Sequence, residues 1–66
     1  MNIVINGENR TLVRVNTLAQ MLDQLTDLPD NFAIAVNRTF VPRSAYAHTA
    51  VSEGDQVELL IPMQGG

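Results

Sequence analysis

The sequence predicts an α+β domain, in which a β-hairpin is followed by one helix and then by further short strands. Three observations predict it. Asn6-Gly7 divides two strand-forming stretches, apolar residues recur at helical spacing after Thr17, and alternating apolar runs return at residues 32–36 and 56–61.

The first strand covers residues 2–6, three β-branched aliphatics between two asparagines. Asn6-Gly7 is the strongest short hairpin signal, because a type I′ turn needs positive φ at both central residues. Residues 10–15 make the return strand; with Val13 and Val15 turned to the core, Arg10, Leu12 and Arg14 face outward by the two-residue period. Thr17 reads as a helix N-cap, and Gln20, three residues on, completes a capping box. Leu18, Met21, Leu22 and Leu25 then form the i, i+3, i+4, i+7 stripe of an amphipathic helix. Gln20, Asp23, Gln24 and Asp27 take its other face, and Pro29 stops it.

Phe32, Ile34 and Val36 point inward from the third strand, and Ala33 and Ala35 give it a flat outer surface. Asn37-Arg38 reads as a tight turn without a glycine. Residues 39–41 are a short strand ending at Pro42, and 43–50, poor in β-branching, allow a turn of helix or 3₁₀. Residues 52–55 are a turn. The last strand is 56–61, with Val57, Leu59 and Ile61 on one face and Gln56, Glu58 and Leu60 on the other. Pro62 cannot donate to a sheet ladder and marks its end.

Sixty-six residues make one domain, which buries only about 60% of the surface its unfolded chain exposes. That leaves little room for a concave pocket with a full catalytic set. Four arginines stand against seven acids, a net charge of −3. This disfavours a nucleic-acid surface and suits a partner with a basic face. There is no cysteine, hence no disulfide, thiol nucleophile or persulfide carrier. There is no lysine either. No apolar run approaches the ~18 residues of a membrane span, and no secretory leader precedes the first strand, so no membrane partner and a cytoplasmic location are expected.

Chemistry-bearing candidates are few. His48, the single histidine, sits among Thr and Ala and reads as a surface residue. Asp23 and Asp27 are i, i+4 on a helix, which indicates a solvated face rather than a metal pair. Glu53-Gly54-Asp55 reads as a turn. Tyr46 packs over the core edge, with Arg43 and Tyr46 as lesser docking candidates. The remaining feature is the tail. We divide the chain into a domain at 1–61 and a diglycine tail at 62–66. Gly65 and Gly66 lack Cβ atoms, so a partner's backbone can close around them, and five residues reach about 16 Å when extended. A frayed terminus is the alternative.

Ala35-Val36-Asn37, Val41-Pro42-Arg43-Ser44, Gly54-Asp55 and Gln64-Gly65-Gly66, in this order over the whole chain, resemble the ThiS family, the ubiquitin-like sulfur carriers of thiamine biosynthesis. Pro62 departs from that pattern and leaves open how far the last strand extends. The resemblance implies a β-grasp fold: a mixed sheet of four to five strands in the order 2-1-5-3, first and last strands parallel at its centre, with one helix packed across it. It implies that an ATP-dependent, E1-like (ThiF-type) enzyme adenylates the carboxylate of Gly66. A persulfide donor then supplies sulfur, and a ThiG-type thiazole synthase consumes the resulting thiocarboxylate. The chain is then a co-substrate rather than an enzyme and holds no cofactor. Tail recognition falls on Gly65, Gln64 and Met63. A docking patch on the solvent face of the sheet comprises Val4, Leu12 and Leu60 side by side, with Glu58 beside them.

Three other readings remain open at this stage. The small subunit of molybdopterin synthase shares the fold, tail and activation chemistry, although it is usually longer and residues 41–44 fit the thiamine carrier better. A ubiquitin-like modifier would join its diglycine to target lysines. A plain interaction domain would carry the diglycine incidentally.

Overall fold

The computed structural model describes residues 1–26 and 28–61. Strands β1 (Asn2–Ile5) and β2 (Glu8–Thr11) pair antiparallel, with Ile5 opposite Glu8 and Asn2 opposite Thr11. The two residues between them take φ of 50° at Asn6 and 81° at Gly7, the left-handed pair that matches strand twist. β2 therefore begins at once after the turn and ends four residues before the expected limit, where β1 has no more residues to pair.

That shift corrects the predicted faces. Ile3 and Ile5 face the core opposite Arg10 and Glu8, so the even-numbered positions of β2 share the inner face. Leu12 continues that phase inward and is only 5% exposed. Its N–H donates to the Met1 carbonyl (2.8 Å) and its carbonyl accepts from the Met1 ammonium (2.9 Å). The chain then bends, Arg14 takes φ 58°, and the phase is reset. Val13 is left 69% exposed and Val15 is buried. Arg10 stays at the exposed rim of the inner face, 3.6 Å from Glu8.

Thr17 caps helix α1 (Leu18–Asp23) as its sequence implies, with the full capping box formed: the Gln20 N–H donates to Thr17 Oγ1, and Gln20 Oε1 accepts from the Thr17 N–H. Leu18 and Met21 are fully buried, and Leu22 and Leu25 pack against them. The helix is shorter than the apolar stripe. Pro29 has no N–H for the Leu25 carbonyl and its ring disfavours helical backbone at Leu28. The last turn tightens instead, with Gln24 N–H donating to Met21 O and Leu25 N–H to Leu22 O, both at 3.1 Å. Gln24 Nε2 donates to the Val13 carbonyl and its Oε1 accepts from the Val13 N–H, so this exposed amide ties the helix end to the bend after β2.

β3 (Ala33–Val36) and β4 (Thr39–Val41) form a second hairpin, Val36 opposite Thr39. Its turn is again left-handed at both positions, φ 50° at Asn37 and 69° at Arg38. A 3₁₀ helix (Arg43–His48) follows Pro42 and buries Tyr46. Gly54, at φ 84°, turns the chain into β5 (Gln56–Leu60). β5 lies parallel to β1 and antiparallel to β3, giving the order β2-β1-β5-β3-β4. One face of this mixed sheet is covered by α1 and the 3₁₀ helix around Ile3, Ile34, Val57, Leu18 and Met21. The other face is open.

Candidate functional site at the open face and the end of the last strand

Parity from the buried residues assigns the open face. Val57 and Ile34 are inward, so Gln56, Glu58 and Leu60 of β5, and Ala33 and Ala35 of β3, are outward. Val41 is buried, which turns Phe40 outward. The ladders then place Leu60 beside Ala33, and Glu58, Ala35 and Phe40 in one row. Phe40 is 64% and Leu60 53% exposed. This is a contiguous apolar surface around one carboxylate, and exposed apolar surface of that kind marks interaction sites.

The expected patch is therefore partly reorganised. Leu60 and Glu58 lie on the open face. Leu12 does not; it is in the core, for the register reason given above. Val4 shares the face but pairs with Gln56, four residues before Leu60 and so about 13 Å away along the strand. Phe40 takes the place assigned to Leu12. Its signal was available: a two-residue turn at Asn37-Arg38 puts Ala35 opposite Phe40, and an outward Ala35 carries Phe40 with it.

Two concavities flank the end of β5. Asn31, Phe32, Ala33, Arg43, Leu60 and Ile61 line a shallow groove of about 430 Å³ on the open side. A cleft of about 220 Å³ on the helix side runs between Leu25, Leu28, Pro29 and Leu59, with Glu8 and Arg10 at its rim. Ile61 borders both. Met63, Gln64, Gly65 and Gly66 lie outside the described residues, as do Pro62 and Asp27. Of the other candidates, Tyr46 is buried as expected, while Arg43 and His48 are exposed. Among the described residues no three His, Cys, Asp or Glu side chains converge to hold a metal, and no helix is long and apolar enough to cross a membrane.

A hairpin, a helix laid across the sheet, and a last strand returning parallel to the first between β1 and β3 define a ubiquitin-like β-grasp protein. The chain belongs to the ThiS family, whose model matches residues 3–66. It is 32% identical over 66 residues to the sulfur carrier protein ThiS of Escherichia coli, covering both chains in full. It is 36% identical over 66 residues to a thiazole synthase of Paramagnetospirillum magneticum, but spans only 20% of that protein's length. Among solved structures it resembles the crystal structure of the thiamine biosynthesis protein ThiS from Geobacter metallireducens, with a TM-score of 0.82 at 29% identity and full coverage of both chains.

Proposed function

We propose that the chain is a sulfur carrier of thiamine biosynthesis, loaded as a thiocarboxylate at Gly66 and unloaded by a thiazole synthase. The observation that carries this reading is the end-to-end match to the E. coli sulfur carrier protein. The P. magneticum thiazole synthase, which contains a segment similar to this chain, supports the choice of consuming enzyme.

The chemistry follows from the terminus. A C-terminal carboxylate has a pKa near 3.5 and is an ionised, poor electrophile at neutral pH. Attack of its oxygen on the α-phosphorus of ATP, in a separate adenylating enzyme, forms an acyl-adenylate and releases pyrophosphate. A persulfide sulfur then attacks the acyl carbon and expels AMP. A second thiol cleaves the S–S bond by exchange, leaving the thiocarboxylate on Gly66 and a disulfide on the donor side. The chain has no cysteine, so the terminus is where it can hold transferable sulfur. Gly65, Gln64 and Met63 are the tail residues that the partner recognises. Phe40, Leu60 and Glu58 form the docking face, with Val4 at its margin. ATP belongs to the activating enzyme, and the exchange takes place in the cytoplasm.

The test is the mass of the C-terminal peptide after incubation with ATP, the adenylating enzyme and a sulfur source. One oxygen-to-sulfur exchange at Gly66 is expected. A Gly66 amide to a lysine of another protein would make the chain a modifier instead, and an unchanged terminus would end the proposal.

A further inference from the structure

Strand β5 outruns its neighbour. Its parallel ladder with β1 has two registered pairs, Val4 with Gln56 and Ile5 with Val57, and β1 then turns away at Asn6-Gly7. On that side β5 would be unpaired from Glu58 onward. Asn6 bridges the gap. Its own N–H donates to the Val57 carbonyl at 2.9 Å, and its Oδ1 accepts from the Leu59 N–H at 2.8 Å. The side chain thus stands in for Asn6's own main-chain carbonyl, which a regular parallel ladder would have offered to the Leu59 N–H, and carries the ladder to within two residues of Ile61. Asn37 makes a matching contact at the other end of the strand, where its Oδ1 accepts from the Gln56 N–H at 3.0 Å. Both asparagines hold φ 50°.

We propose that Asn6 is a positioning residue for the carrier reaction: with β3 holding the other edge, its side chain steadies the strand end at Leu59–Ile61, the stem from which the terminus is offered to the enzymes that load it. The inference rests on the sulfur-carrier reading. A partner that must thread a short segment binds the fraction of molecules already aimed correctly, and its apparent affinity falls with that fraction. Losing one hydrogen bond of ordinary strength lowers the ratio of aimed to unaimed molecules by about fivefold, and the aimed fraction by up to that factor.

The two asparagines form a matched pair for the test. Asn6→Gly and Asn37→Gly both keep a residue at ease with positive φ and both remove one side-chain acceptor used by a β5 N–H, Asn37→Gly losing in addition the Nδ2 donation to Asp55 at 3.2 Å. Only the first lies next to the tail. With full-length chains, adenylating enzyme and ATP, pyrophosphate exchange gives KM and kcat for each carrier. We expect Asn6→Gly to raise KM by up to about fivefold with kcat unchanged, and to speed amide exchange at Leu59. Asn6→Asp, which keeps the oxygen acceptor, should restore both. Asn37→Gly should lower the Tm at least as much and leave KM alone. Equal KM for the two glycine variants, or no change for Asn6→Gly, overturns the inference while the carrier reading stands. A wild-type chain that supports no exchange overturns both, whereas Leu59 amide exchange still reports on the anchor itself.

Discussion

Arg38 sits at φ 69° in the β3–β4 turn, a backbone region that crowds its Cβ against the carbonyl oxygen at a cost of about 1–2 kcal/mol. Asn6, Gly7 and Asn37 in the equivalent turn positions are residue types that tolerate it. Replacing Arg38 by Gly should therefore raise stability by about 0.5–1 kcal/mol after the extra entropy of the unfolded glycine is counted, read as a higher urea midpoint with the m-value unchanged. Leu12 and Val13 give a second test at this scale. Leu12→Ala should cost about 2–5 kcal/mol, enough to unfold much of so small a domain, and Val13→Ala less than about 0.5 kcal/mol. Urea unfolding of the two variants decides it, and equal losses would contradict the register. The expectation for these residues reversed because Val13 and Val15 share a two-residue period, and that period holds only while the strand is regular. The left-handed Arg14 that breaks it carries no glycine or asparagine to announce itself.

Helix α1 has six residues, well below the length that stands alone in water, so its ends decide whether it forms. The capping box at Thr17 and Gln20 satisfies its entrance. The Leu18 N–H is met by the Thr49 carbonyl at 2.8 Å, and Gln24 fastens its exit to Val13. Thr17→Ala should lower stability by about 1 kcal/mol, with the loss visible in thermal unfolding; a neutral result would mean the Thr49 contact alone suffices. The start of this helix was legible because capping uses residues three apart in sequence. Its end was legible only in part: Pro29 marks a stop, but the Gln24–Val13 contact that fastens the last turn joins segments eleven residues apart. Both hairpin turns were legible for the same local reason, whereas the pairing of β5 with β1 came from family resemblance, being a contact between opposite ends of the chain.

At the scale of the molecule, one face of the sheet is the core and the other is the proposed docking surface. Phe40 and Leu60 are exposed and pack little of the interior, so Phe40→Ser with Leu60→Ser should leave the Tm within a few degrees. The same pair should weaken binding to the adenylating enzyme by tenfold or more, since apolar anchors at interface centres commonly carry above 1.4 kcal/mol. Titration calorimetry with the adenylating enzyme reads this, and unchanged affinity would move the docking surface elsewhere. Of this site, Leu60 and Glu58 could be placed from strand alternation alone. Phe40 required knowing which residues the second hairpin sets face to face.

The central strand of this sheet is also the last one translated. β2-β1 and β3-β4 have no ladder in common except through Gln56–Leu60, and an isolated hairpin is marginal in water. A nascent chain halted at residue 55 therefore holds two loose hairpins and an uncovered apolar helix face, open to proteases.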